Sequence, residues 1–387
     1  MSGNKCAIAH YKSLAEKAKG KQPLGFISSL VLAATIASAL SLPATIAKAQ
    51  GYDDIKSNKS PLVLKSAGSF FIGGDKVPQT LIENGNIYIP DVDNIIINQM
   101  FVEYRVPYRN GEKKPAVIML HGATLSGKTY DTTPDGRMGW YEYFVRKGHT
   151  VFIPDQVGRA RSGFDQRPYN NVRYGVTAPD TQPVIRRRGE MNAWVQFRFG
   201  PEFGTAYPDE KFPVGFADDF LRQGIPEFNA GLPSPNPNFA ALATLADDVG
   251  GAVVMGHSQS GTYPISAALS NPKGVAGLVL VEPGGCSASS YTTEQMEILK
   301  KIPMLIIYGD NLDGPTAVPG FSWRSSYDGC NSLAMRVNAA GGDAKMLYLP
   351  AVGEKGNSHM LMQDMNNLKI ADRIMRWIDN KVKVKKK

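Results

Sequence analysis

Gly256-His257-Ser258-Gln259-Ser260-Gly261 follows directly on the apolar run Ala252-Val253-Val254-Met255 and leads into a helical pattern over residues 261–270. A serine at the apex of a sharp strand-to-helix turn needs small residues two positions to either side, because the strained backbone leaves no room for larger side chains. Gly256 and Ser260 fill those two places, with Gly261 just behind. Ser258 is therefore the candidate nucleophile. Ser260 is a competing hydroxyl, but it does not sit at the apex.

Outward from this turn the chain alternates short β-rich runs with helical stretches. Residues 116–120, 150–153 and 252–255 are continuous apolar runs, and 277–281, 304–308 and 346–349 repeat the pattern. Such runs are typical of parallel strands buried on both faces. Residues 69–72 and 100–106 read as earlier strands, the second with period-two alternation. Helical patterns cover 139–147, 239–248, 261–270 and 366–380. The expected class is α/β, with a mostly parallel central sheet and helices on both faces. One interval breaks the rhythm: almost a hundred residues separate Pro154 from Gly251. That is too long for a crossover and predicts an inserted cap at about 164–238. Its Trp194, Phe197, Phe199, Phe203, Phe212 and Phe216 either shape an apolar pocket or form the cap's own core.

A serine hydroxyl becomes a nucleophile only when a base takes its proton. Beyond residue 49 the histidines are His121, His149, His257 and His359. His149 precedes a strand at the far end of the sheet, His121 belongs to the turn after the run 116–120, and His257 lies in the elbow, expected to point away from the apex. His359 follows the last strand and precedes the last helix, on the edge of the sheet where sites of such folds collect. The third group must orient the imidazole and offset its charge. Glu282, directly after Leu278-Val279-Leu280-Val281, and Asp310 or Asp313, after the next strand, all qualify, and spacing does not choose between them. An oxyanion needs backbone N–H donors from the residue after the nucleophile and from an earlier strand-to-helix loop. Those are Gln259 and, in His121-Gly122-Ala123-Thr124, Ala123, with Thr124 as the alternative.

Composition sets the boundaries. The 387 residues are 43% hydrophobic and 20% charged, which excludes disordered and polytopic membrane classes. The net charge of +8 is concentrated at the ends: Lys5, Lys12, Lys17, Lys19, Lys21 and Lys48 face only Glu16, and five lysines lie in 381–387. The body between holds 32 basic and 34 acidic side chains, so no basic face is left for nucleic acid. Residues 24–47 are uncharged and end in Ala47-Lys48-Ala49, the order of a secretory signal at 1–49, with an uncleaved anchor as the rival reading. After cleavage no stable membrane insertion is expected. A polar lead-in, 50–67, precedes a single catalytic domain at 68–387. Of the three cysteines only Cys286 and Cys330 remain after the leader, and in an oxidising compartment they are expected to pair. No metal or organic cofactor is needed for this chemistry.

Elbow, His-Gly turn and late histidine, in the order Ser, acid, His, resemble the α/β-hydrolase superfamily. Within it, several dispersed blocks are similar to the secreted bacterial esterases of the esterase seven-one-three-like group. They are Thr133–Trp140, Asp155–Ser162, Phe197-Arg198-Phe199-Gly200-Pro201, Val281-Glu282-Pro283 and Asn357-Ser358-His359 with Asn366-Asn367-Leu368. In that group the acid is a glutamate after the sixth strand, so the resemblance implies Glu282 rather than Asp313. Val157 and Ala160 depart from the group's pattern in their loop. The resemblance implies a secreted serine hydrolase acting on small-molecule esters through an acyl-enzyme intermediate. Acyl transfer, lactone or amide hydrolysis by the same residues, and a non-catalytic binding protein on the same fold, stand as alternatives.

Overall fold

The computed structural model describes residues 49–56, 60–85, 92–109 and 114–383. Residues 1–48 of the expected leader and the tail beyond Lys383 lie outside the described residues.

Among the described residues eight strands form one sheet: β1 (Leu64–Thr80), β2 (Val92–Pro107), β3 (Ala116–Leu120), β4 (Val151–Pro154), β5 (Ala252–His257), β6 (Val275–Val281), β7 (Met304–Tyr308) and β8 (Ala344–Tyr348). Their order is β1-β2-β4-β3-β5-β6-β7-β8. β2 pairs antiparallel with β1 and β4, and all other pairs are parallel. Nine α-helices occur among the described residues: α1 (Trp140–Arg146), α2 (Arg167–Arg173), α3 (Glu190–Gln196), α4 (Ala217–Arg222), α5 (Pro237–Asp248), α6 (Tyr263–Ser270), α7 (Thr293–Leu299), α8 (Trp323–Ala339) and α9 (Asn367–Lys381).

Every residue of β5 and β7 is buried, which is why these strands read as unbroken apolar runs. Strand alternation sends their side chains to two cores. Val253, Met255, Leu305 and Ile307 pack with α1 and α9, while Val254, Met304 and Ile306 pack with α5, α6 and α8. α9 shows how sequence makes such a layer: Ile370, Ile374 and Ile378 recur at helical spacing and are buried, while Arg376 faces solvent. α5 starts where it does because the Asn236 side chain accepts from the Asn238 N–H (3.0 Å) and Pro237 occupies the first helical position.

Three features differ from the sequence reading. β1 and β2 run to 17 and 16 residues as a long antiparallel ribbon, and β1 begins at Leu64, inside the stretch read as lead-in. Most of β1 is exposed, so burial imposes no alternation on it. α8, 17 residues long, stands out poorly in the sequence because its buried face is narrow, centred on Trp323, Cys330, Leu333 and Val337. Cys330 on α8 is disulfide-bonded to Cys286 in the loop after β6, with Cα atoms 4.6 Å apart.

Between β4 and α5 the chain carries only short helices and turns with two isolated β-bridges. Phe197, Phe199, Phe212 and Phe220 interlock there, with Phe199 and Phe212 stacked at 3.8 Å. Both readings of these aromatics hold in part: Trp194, Phe199 and Phe203 also line a cavity of about 270 Å³, while Phe216 is exposed.

Candidate active site

The loops that follow β3, β5, β6, β7 and β8 carry 121–124, 258–261, 282–285, 309–314 and 353–360 to one end of the sheet. Ser258 is the first residue beyond β5 and has φ 59°, the left-handed region that side chains rarely adopt. The turn closes only around small neighbours. A Cβ at Gly256 would lie 2.0 Å from the Ser260 carbonyl oxygen, and one at Gly122 would lie 2.8 Å from the Ser258 Cβ. Ser260 is fully buried, and its Oγ accepts from the His257 N–H (3.1 Å) and lies 2.8 Å from the His121 carbonyl oxygen. It fastens the elbow to the end of β3, whereas Ser258 keeps some exposure.

His359 is fully buried, and its Nδ1 lies 3.1 Å from Glu282 Oε2. Its ring is parallel to Phe197 (5.4 Å, 10°) and packs against Trp323 (4.2 Å) and His257 (4.7 Å). Burial, then the positive charges of Arg198 and Arg188, hold its pKa well below the usual histidine value, so the ring is neutral. With the Nδ1 proton directed at a carboxylate, the lone pair is on Nε2, which has no hydrogen-bond partner among the described residues.

Glu282, with φ 49°, is equally buried. Its other oxygen, Oε1, accepts from Arg198 Nη2 (2.6 Å) and from the Gly309 backbone N–H. Arg198 also donates to the Asp310 carbonyl (2.7 Å). Asp313, the alternative acid, is placed elsewhere: its side chain is 73% exposed and paired with Arg324 (2.7 Å) at the surface. Asp310 turns its carboxylate to the Gly356 N–H (2.9 Å). Seven non-glycine residues among those described have positive φ, and four of them, Thr124, Arg198, Ser258 and Glu282, lie in this candidate site.

The Thr124 N–H is already bonded to Glu227 Oε2 (3.0 Å), which removes Thr124 as an oxyanion donor. The Ala123 N–H has no acceptor among the described residues, and Gln259 stands at the start of the 3-10 turn Ser258–Thr262, where N–H groups lack partners within the turn. Among the described residues no cluster of three or more His, Cys, Asp or Glu is arranged to hold a metal, and no helix is long and apolar enough to cross a membrane.

No family model matches the chain. Its sequence is 39% identical to a bacterial esterase whose structure is known at atomic resolution, over 84% of this chain and 99% of that one, with a TM-score of 0.77. The chain belongs to the bacterial esterases of the α/β-hydrolase superfamily. It is also 26% identical over 332 residues to a probable secreted lipase, phiG, of a fungal species (strain ATCC 74256), covering 72% of this chain and 85% of that relative.

In this serine esterase two groups at the site escaped the sequence reading. His257 does not point away; its Nε2 is 3.0 Å from the His359 carbonyl oxygen and its ring packs on the His359 ring. Arg198 had one visible signal, a charged residue inside the aromatic run Phe197-Arg198-Phe199. Such a side chain is buried only when paired.

Proposed function

We propose that this esterase cleaves carboxylic esters with a Ser258-His359-Glu282 triad. The Ser258 Oγ attacks the ester carbonyl while its proton passes to His359 Nε2, and the N–H groups of Ala123 and Gln259 receive the developing oxyanion. Collapse expels the alcohol, protonated by His359, and leaves an acyl-serine. Water, deprotonated by the same imidazole, then releases the acid. Glu282 keeps the Nδ1 proton in place and offsets the imidazolium charge. The carrying observation is the 3.1 Å contact of His359 Nδ1 with Glu282 Oε2, which leaves Nε2 unpartnered while the ring packs at 4.7 Å on His257, the residue before Ser258. The segment 164–238 acts as a cap, a reading supported by Phe197 stacking on His359. Steady-state turnover of p-nitrophenyl esters tests the assignment: Ser258→Ala abolishes it, Ser260→Ala keeps at least about a tenth, and equal losses would move the apex.

We also propose export, with residues 1–49 removed as a leader. Support comes from the charge order of that stretch and from the fungal relative, a probable secreted lipase. Mass spectrometry of the secreted protein should find Gln50 at its N-terminus. An intact leader in the membrane fraction would favour the anchor instead.

A further inference from the structure

Arg159 and Glu227 form a buried ion pair at 3.1 Å, with side-chain exposures of 1% and 6%. Neither has a part in proton transfer, yet their hydrogen bonds converge on the two candidate oxyanion donors. The Gly122 carbonyl and the Ala123 N–H belong to one planar peptide unit and point in opposite directions. Whatever holds that carbonyl therefore aims that N–H. Arg159 Nη1 (2.9 Å) and His121 Nδ1 (3.0 Å) both lie on it. The next peptide is fixed too, since Glu227 Oε2 takes the Thr124 N–H. At the other donor, the Gln259 side chain is gripped at both ends: its Oε1 accepts from Arg159 Nη2 (2.6 Å) and its Nε2 donates to Glu227 Oε1 (2.7 Å). Glu227 comes from the inserted segment, which is tied to the same turn by the Ile225 N–H on the Thr124 carbonyl (2.8 Å).

We propose that Arg159 and Glu227 are positioning residues that set the direction of both oxyanion-hole N–H groups, so that the inserted segment completes the hole. The proposal rests on the reading of Ala123 and Gln259 as oxyanion donors. Donors are effective only when aimed at the place where charge develops, and loss of one costs on the order of 10²–10³ in kcat. Because the hole engages the transition state and not the bound ester, misaiming lowers kcat and leaves KM nearly unchanged.

A buried ion pair also has a plain stabilising role, and the test must separate the two. Replacing both partners by apolar residues of similar volume removes the buried charges together and is often neutral for stability. Arg159→Met combined with Glu227→Leu removes the charges together but leaves the Thr124 N–H and the Gln259 amide without these partners, so its thermal midpoint should drop; assayed below that midpoint, kcat falls about 30- to 100-fold, with KM within about threefold. Glu227→Gln keeps an oxygen for Arg159 and Gln259, which supply two donors, but turns its amide nitrogen toward the Thr124 N–H, so one of the three contacts is lost and kcat should fall about tenfold. A folded double variant with wild-type kcat, or a loss confined to KM, would overturn the proposal. If the double variant does not fold, Glu227→Gln decides: lowered kcat at unchanged KM supports positioning, and wild-type kcat refutes it. Labelling of wild-type Ser258 by a fluorophosphonate separates the two layers. No labelling defeats the triad reading itself, whereas labelling with unaltered variant kinetics defeats only the positioning role.

Discussion

Glu282→Gln changes one atom, and the surrounding donors dictate how the site responds. Oε1 receives two donors, Arg198 Nη2 and the Gly309 N–H, so this place must remain an oxygen in the variant. The amide nitrogen is then forced toward His359 Nδ1, where it donates instead of accepting. His359 must turn Nδ1 into the acceptor and carry its proton on Nε2, the tautomer that cannot take a proton from Ser258. The same tautomer error in a Ser-His-Asp triad costs about 10⁴ in kcat, and the loss here should be about two to four orders of magnitude. Arg198 also loses its buried counter-charge, which costs about 3 kcal/mol of stability or more. Kinetics should therefore be measured well below the variant's own melting transition, with circular dichroism confirming the fold. Asp313→Asn disturbs only an exposed pair with Arg324 and should leave kcat within about twofold of wild type. Nitrogen-15 NMR of His359 provides an independent check, with the proton on Nδ1 in the wild type and on Nε2 in the glutamine variant. The reasoning fails if Glu282→Gln keeps more than about a tenth of kcat, or if Asp313→Asn is the crippled variant.

Two pH effects arise from buried groups. His359 is held neutral well below the ordinary histidine value by burial and by Arg198 and Arg188, so the acid limb of kcat/KM should have its midpoint below pH 6.5; a midpoint at or above that value would contradict the assigned base. Glu210 is pushed up to about 9 by burial and by Asp364, so its contribution to stability is whole below about pH 4.5 and is lost as pH rises toward 9. The stability of wild type relative to Glu210→Gln should fall as pH rises across that window, and a flat difference would refute it.

The parallel strands were legible because burial on both faces turns residues 252–255 and 304–308 into continuous apolar runs. The β1–β2 ribbon was legible only in part, since solvent along β1 leaves its side chains free of the period-two rule. At the site, Ser258 could be read from its small neighbours, a local constraint of backbone sterics. The acid could not, because Glu282 and Asp313 both follow apolar strands and only the fold decides which carboxylate meets His359. The residue resemblance pointed to Glu282, and the coordinates bring its Oε2 to Nδ1. The partners of Arg198, Arg159 and Glu227 were illegible for the same reason. They lie 84, 100 and 32 positions away in sequence, and no periodicity announces a side chain that crosses the fold.

The proposed triad requires that Ser258, and no other hydroxyl, forms the covalent acyl intermediate. A fluorophosphonate reacts with an activated serine to give a stable adduct, and peptide mapping by mass spectrometry locates it. One adduct per chain is expected, on the peptide containing Ser258, retained in Ser260→Ala and absent from Ser258→Ala together with turnover. An adduct on any other residue, or full turnover in Ser258→Ala, would contradict it.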